Sequence, residues 1–141
     1  MIYVDTSLLV ALHVTERDSE VALEWFRRRA VETFLYSDWT ELEVSSALSR
    51  KLRSGTMTLA QRQGAEQAIQ RTKLDSFRRV AVASEHFQNA ERMVRQYETG
   101  LRSGDALHLA IAEAHGASLA TLDQTFASAA ARLGIAVEPL T

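Results

Sequence analysis

Short runs of strand-forming residues alternate with helical patterns along the whole 141-residue chain. The first run, Ile2-Tyr3-Val4, is apolar without alternation, which is typical of a strand that is buried on both faces. Four later runs, Thr33–Ser37, Phe77–Val82, Ala117–Leu122 and Ile135–Val137, are separated from one another by helical patterns. Because strands that alternate with helices pair in parallel under helical layers, the sequence predicts a three-layer α/β domain with a mostly parallel central sheet flanked by helices.

The helical patterns differ in how much apolar surface they offer to a core. The helix predicted from Ser103 carries Leu107, Ala110, Ile111 and Ala114 on one face, as a core helix does. The stretch from Thr56 to Leu74 has only a thin apolar stripe among glutamines and arginines. We therefore expect a peripheral helical hairpin there, which packs on the domain or on a partner.

Length and composition limit the class of protein. A chain of 141 residues has the length of one domain, so we expect residues 1–141 to form a single domain. No apolar run approaches the roughly 18 residues of a membrane-spanning helix, and the chain begins with a strand rather than a secretory signal. The sequence thus predicts a cytoplasmic protein without a membrane partner.

Two of the predicted strands end in an aspartate, Asp5 after the first and Asp123 after the fourth. Two further acids, Glu43 and Asp105, lie in the first turns of helices. The carboxyl ends of parallel strands and the N-termini of the helices that follow them share one edge of a sheet, where α/β proteins bind ligands. Each acid alone is also explained as a helix cap or a favourable first-turn charge. All four at one edge would repel one another unless a cation neutralised them.

A cluster of carboxylates in a chain without cysteine suits a hard cation, Mg²⁺ or Mn²⁺, better than zinc. Such an ion can activate water for the hydrolysis of a phosphate ester. In that interpretation Thr6, Ser7 and Thr121 position the ligands or the substrate, and the capping of the first helix passes from Asp5 to Thr6 or Ser7. The formal charge of −2 argues weakly against a nucleic-acid partner, but setting the four acids aside leaves 14 acidic against 16 basic residues.

Four blocks of the chain closely resemble the PIN-domain ribonucleases, specifically the VapC-type toxins of toxin–antitoxin pairs. The blocks cover nearly the whole chain in order: Val4-Asp5-Thr6-Ser7, Ser37-x-x-Thr40-x-x-Glu43, Asp105-Ala106-Leu107-His108-Leu109-Ala110 and Thr121-Leu122-Asp123-x-x-Phe126. The resemblance implies a PIN-like fold and a Mg²⁺- or Mn²⁺-dependent endoribonuclease, usually a homodimer, which a cognate VapB-like antitoxin holds inactive. The family's acidic residues correspond to Asp5, Glu43, Asp105 and Asp123, and the spacing from Ser37 and Thr40 selects Glu43 over Glu41. The hypothesis is an RNA hydrolase that uses metal-activated water.

An RNA substrate also requires cations outside the acidic cluster. Arg50 lies seven residues beyond Glu43, two helical turns along a similar face, and is the first candidate for a phosphate contact. A solvated helix face explains Arg50 equally well. His108 follows Asp105 by three residues, but a single helical histidine is more often structural, and that interpretation is preferred here.

Two alternative functions remain open at the level of sequence. One is a Mg²⁺-dependent phosphatase with an aspartyl nucleophile after the first strand, although Ser7 stands where such enzymes usually carry a second acid. The other is a PIN-like module that binds RNA or protein without catalysis. A binding module would not need four acids, and a metal titration distinguishes it from an enzyme.

Overall fold

A four-stranded, fully parallel sheet forms the centre of the computed structural model, which describes residues 1–141. The strands, in the spatial order β3-β2-β1-β4, are β1 (Ile2–Val4), β2 (Phe34–Ser37), β3 (Phe77–Val80) and β4 (Ser118–Ala120). The helices are α1 (Thr6–His13), α2 (Ser19–Arg28), α3 (Asp38–Arg53), α4 (Leu59–Ser76), α5 (Ser84–Val94), α6 (Ser103–Ala114) and α7 (Gln124–Arg132), with a short 3₁₀-helix at Tyr97–Thr99. The predicted α/β architecture with a parallel sheet between helices is confirmed.

The central position of β1 explains its uninterrupted apolar sequence. Tyr3 pairs with Leu35 of β2 on one side and with Leu119 of β4 on the other, so β1 has no free edge. Ile2 and Val4 pack into one core with α1 and α2, whereas Tyr3 packs into a second core with α6 and α7. Because successive side chains of a strand point to opposite faces, a strand between two cores has to be apolar at every position.

The predicted fifth strand at Ile135–Val137 is wrong. Val137 forms a single parallel bridge to Leu119 beside β4, supported by two backbone hydrogen bonds of 2.8 Å, from Leu119 N–H to the Ala136 carbonyl and from Glu138 N–H to the Leu119 carbonyl. Pro139 follows directly and has no N–H to continue a ladder. The segment therefore covers the edge of β4 without becoming a strand.

The region around α3 and α4 departs from the prediction in its boundaries. Residues 59–76 form one 18-residue helix, so the hairpin consists of α3 and α4 together, not of two helices within Thr56 to Leu74. Thr58 caps α4 by accepting a hydrogen bond from the Gln61 N–H, and the Gln61 side chain accepts one from the Thr58 N–H. No helix of the protein combines the length and the apolar character that crossing a bilayer requires.

Candidate active site

A cleft of about 810 Å³ opens at the carboxyl ends of β1 and β4, and all four predicted acids line it. Asp5 and Asp123 come from the segments after the two neighbouring strands, Glu43 comes from α3, and Asp105 comes from the first turn of α6. The convergence follows from the parallel pairing of β1 with β4, which brings the ends of both strands to the same edge.

Asp5 is almost fully buried and accepts three hydrogen bonds. Its Oδ1 accepts from the Ser7 hydroxyl at 2.7 Å and from the Leu8 N–H at 3.1 Å, while Oδ2 accepts from the Thr121 hydroxyl at 2.7 Å. The expectation that capping passes to Thr6 or Ser7 is wrong, because Asp5 itself is the N-cap of α1. Burial raises the pKa of Asp5, and the bonds from Ser7 and Thr121 oppose that rise.

Glu43 lines the cleft with one carboxylate oxygen bonded within the protein and the other without a hydrogen-bond partner. Its Oε1 accepts from the Thr6 hydroxyl at 2.8 Å and contacts Nε2 of His108. Burial by itself would raise the pKa of Glu43, but the hydrogen bonds and charge of His108, together with the Thr6 bond, lower it overall. Glu41 points elsewhere and pairs with the buried Lys73 at 2.5 Å, so the structure places Glu43 and not Glu41 in the cleft.

The start of α3 explains how Glu43 reaches this position. The hydroxyl of Ser37 accepts a hydrogen bond from the Thr40 N–H at 3.4 Å, and the Thr40 hydroxyl accepts one from the Ser37 N–H at 3.2 Å. This reciprocal capping box fixes the first turn of α3 at the end of β2. Three residues later Glu43 lies on the side of the helix that faces the cleft.

Asp105 and Asp123 line the cleft from different elements, the first turn of α6 and the N-cap of α7. Burial and, next, the negative charge of Asp123 raise the pKa of Asp105. Asp123 caps α7 by accepting a hydrogen bond from the Phe126 N–H at 3.0 Å through Oδ1. A cation bound between two carboxylates would offset the repulsion that opposes their ionisation, so this pair suits a cation site.

The predicted positioning residues occupy three different places. Ser7 and Thr121 join the ends of β1 and β4: the Ser7 hydroxyl accepts from the Leu122 N–H at 3.1 Å, and the Thr121 hydroxyl donates to Asp5 Oδ2 at 2.7 Å. Thr6 lies on the cleft wall beside Glu43, and Arg50 lines the cleft further along α3.

The sequence interpretation missed the role of His108 in this arrangement. Its side chain is buried, as a structural histidine would be, but its ring joins Glu43 on one side to the Tyr3 hydroxyl on the other, with 2.8 Å between that hydroxyl and Nδ1. The Tyr3 hydroxyl also contacts Ser37 at 2.8 Å and Thr40 at 3.2 Å. The three-residue spacing from Asp105 was the only sequence signal, since it puts His108 on the same face of α6.

Three more charged residues of the cleft were not predicted as site residues. Glu16 and Asp18 line its outer part from the segment between α1 and α2, and Lys51 of α3 pairs with Glu16 at 2.8 Å. The charge of Lys51, which is next to Arg50 in α3, is thus engaged by Glu16. Arg50 remains as the cleft cation outside this ion pair, and it is the one that the sequence interpretation selected.

The donor set suits Mg²⁺ or Mn²⁺. All four acids supply carboxylate oxygens, no thiolate is present, and such oxygens are the ligands that these hard cations prefer. As the side chains stand, no three acidic or histidine side chains are arranged around one point that could hold an ion. The fit is supported by the chemistry of the donors and by the like negative charges of Asp105 and Asp123, which a cation would neutralise. Water would complete the coordination.

A parallel α/β domain with an acid-lined cleft beyond its central strands belongs to the α/β proteins that bind ligands at that edge. The family profile described as PIN domain matches residues 2–132, and the chain therefore belongs to the PIN-domain family. The predicted resemblance is confirmed at this level. No curated protein sequence matches the chain.

Solved structures with the same fold include a toxin and a toxin–antitoxin complex. FitAcB from Neisseria gonorrhoeae is 18% identical with a TM-score of 0.73 and aligns over 99% of this chain and 98% of its own. VapC20 from Mycobacterium tuberculosis, described as a sarcin–ricin loop cleaving toxin, is 21% identical with a TM-score of 0.73 over 92% and 95%. VapBC2 from Rickettsia felis, bound to a promoter DNA fragment, is 17% identical with a TM-score of 0.70 over 98% of both chains. At these identities the similarity is one of fold.

Proposed function

We propose that residues 1–141 form a single PIN-like nuclease domain and act as a metal-dependent endoribonuclease, the VapC-type toxin of a toxin–antitoxin pair. The observation that carries the proposal is the convergence of Asp5, Glu43, Asp105 and Asp123 on one cleft of a PIN domain. An interaction module would gain nothing from burying Asp5 or from placing Asp105 within the field of the Asp123 carboxylate, because both arrangements oppose ionisation.

Each group of the cleft has a defined part in this function. The four carboxylates would hold Mg²⁺ or Mn²⁺, which when bound lowers the pKa of water and stabilises charge on a phosphodiester. Ser7 and Thr121 hold the Asp5 carboxylate in one orientation through hydrogen bonds of 2.7 Å each. Thr6 holds Glu43 in the same way. The products would be a 5′-phosphate and a 3′-hydroxyl.

The partners follow from the family and its structural neighbours. The substrate is RNA, which proteins recognise through shape and exposed bases. Toxin–antitoxin complexes among the solved structures, one of them from Klebsiella pneumoniae, support a cognate VapB-like antitoxin as the regulator. We further propose a cytoplasmic homodimer with no membrane partner.

Metal removal tests the proposed function directly. Purified protein should cleave RNA only when Mg²⁺ or Mn²⁺ is added, because the carboxylates by themselves supply no Lewis acid to stabilise charge on the phosphodiester. The measurement is the rate of cleavage of a structured RNA, before and after treatment with excess chelator, with restoration by added Mg²⁺ as the control. Cleavage that continues undiminished in chelator would contradict the mechanism.

Arg50→Ala should weaken RNA recognition uniformly across RNA sequences. If Arg50 contacts one phosphate, the slope of log(kcat/KM) against log[salt] should decrease by about 0.7, the value for one contact on a single strand. The matched control is Arg53→Ala, which removes an exposed arginine of the same helix outside the cleft lining. Equal slopes for the wild type and Arg50→Ala would assign Arg50 to the solvated face of α3.

A further inference from the structure

The two carboxylate oxygens of Glu43 have opposite environments. Oε1 lies against two partners, the Thr6 hydroxyl at 2.8 Å and Nε2 of His108. Oε2 has no hydrogen-bond partner in the protein and lies at the N-terminus of α6, where a Cβ atom added to Gly104 would be 3.5 Å away. Glu43 thus has one occupied oxygen and one free oxygen, and the free one lies beside the helix turn that carries Asp105.

His108 is itself held in place, so its contact with Glu43 is not a chance rotamer. The ring is 1% exposed, and its second nitrogen bonds the Tyr3 hydroxyl at 2.8 Å. Tyr3 is completely buried in the central strand, and its hydroxyl also contacts Ser37 in the capping box of α3. The same network therefore fixes the histidine and the helix that carries Glu43.

One other acid of the cleft, Asp5, also has an oxygen that accepts two hydrogen bonds, while its Oδ2 accepts only from the Thr121 hydroxyl. Asp5 Oδ1 accepts from both the Ser7 hydroxyl and the Leu8 N–H. Asp123 differs, because its Oδ1 accepts a single hydrogen bond, from the Phe126 N–H, and keeps one acceptor position. An oxygen that already accepts two hydrogen bonds has no acceptor position left for a metal ion, so such a carboxylate binds the ion through its other oxygen alone.

From this geometry we propose that His108 and Thr6 are positioning residues that restrict Glu43 to one ligating oxygen, Oε2, and thereby make the cleft select Mg²⁺ or Mn²⁺ over Ca²⁺. The inference rests on the proposed metal-dependent function. Ca²⁺ takes six to eight oxygens and often binds carboxylates through both of them, whereas Mg²⁺ requires near-octahedral geometry and keeps several waters. Carboxylates with a single available oxygen suit Mg²⁺ and deprive Ca²⁺ of ligands.

Calorimetric titration of the full chain with Mg²⁺ and separately with Ca²⁺ tests the proposal without reference to activity. In His108→Leu and in Thr6→Val, Glu43 gains freedom to chelate, so Mg²⁺ affinity should fall about tenfold or more while Ca²⁺ affinity holds or rises. The ratio of Mg²⁺ to Ca²⁺ affinity should fall by at least that factor. His108→Gln keeps an amide donor for Oε1 and should retain most of the wild-type ratio.

A control variant and a second test variant make the outcome decisive. His13→Leu removes another histidine with both ring nitrogens bonded, to Leu9 and Thr72, outside the cleft lining, and should leave the ratio unchanged. Thr6→Val decides the matter if His108→Leu fails to fold. Metal-dependent cleavage together with a wild-type ratio in both variants overturns the selectivity proposal alone. Absence of any Mg²⁺ binding by the wild type overturns the nuclease proposal and, with it, this one.

Discussion

Replacing Asp5 with asparagine is expected to lower metal-dependent RNA cleavage by more than about 100-fold. Loss of a residue that only hydrogen-bonds to a metal ligand costs about 10- to 100-fold in affinity or activity, and Asp5 is proposed as a ligand itself. Asparagine keeps the size of the side chain but removes the negative charge. The measurement is the single-turnover cleavage rate at saturating Mg²⁺, with Asp38→Asn, a change to an exposed acid at the start of α3, as the matched control.

The fold of Asp5→Asn should remain intact, because asparagine is as good an N-cap as aspartate. The amide oxygen can accept from Ser7 and Leu8 as Oδ1 does, and the amide nitrogen can donate to the Thr121 hydroxyl in place of Oδ2. Near-wild-type cleavage by a folded variant would remove Asp5 from the catalytic site and disprove the proposed mechanism.

Metal-free stability gives a second measurement on the same variant. Burial raises the pKa of Asp5 in the folded protein. The folded state thus binds the proton more tightly, and the free energy of unfolding falls as pH rises from the ordinary carboxyl pKa of about 3.9 through the raised value. Asparagine does not titrate, so the variant lacks this pH dependence. Urea unfolding in chelator should show that the free energy of unfolding of the variant rises relative to that of the wild type across this pH window. At neutral pH the variant should be the more stable of the two.

The sequence was sufficient for the fold and for the location of the cleft because both depend on patterns along the chain. A doubly buried strand such as β1 has to be apolar at each position, and its end in Asp5 marks the ligand-binding edge of a parallel sheet. The capping box of Ser37 and Thr40 similarly fixes where α3 begins, and thus where Glu43 lies. These features involve only neighbours in sequence or the ends of elements.

Contacts between distant elements could not be predicted in the same way. The bond from His108 to Glu43 joins residues 65 positions apart, and the bond from Tyr3 to His108 spans 105 positions. A tyrosine in an apolar strand and a histidine on a core helix carry no sign of each other in the sequence. The predicted fifth strand failed for a related reason, since its apolar residues fit a strand but Val137 meets only Leu119 of the sheet.

Capping of α1 by Asp5 is compatible with the proposed metal binding by the same residue. The sequence interpretation assigned the cap of α1 to Thr6 or Ser7 when it assigned Asp5 to the metal. In the structure Asp5 caps the helix through Oδ1, while Oδ2 carries only the bond from Thr121. Because a carboxylate oxygen has two acceptor positions, Oδ2 remains able to bind a cation. Asp123 combines a cap at Oδ1 with an unoccupied Oδ2 in the same manner.

Saturating Mg²⁺ should raise the free energy of unfolding by about 2.7 kcal/mol at one hundred times its dissociation constant. In Asp105→Asn that increment should shrink strongly, while the metal-free variant becomes more stable than the metal-free wild type. Both changes have one cause, since burial and the charge of Asp123 oppose the ionisation of Asp105. Removing the charge of Asp105 relieves the cost of ionising it in the folded protein and at the same time removes a ligand of the ion.

Urea unfolding with and without Mg²⁺ measures both quantities, with Asp38→Asn again as the control that should keep the full increment. An undiminished Mg²⁺ effect in Asp105→Asn would place the ion elsewhere. The opposite signs of the two expected changes separate a ligand from a merely structural acid. Loss of a structural acid would lower metal-free stability, whereas loss of a ligand whose ionisation is opposed by burial and by another carboxylate raises it and removes the response to the ion.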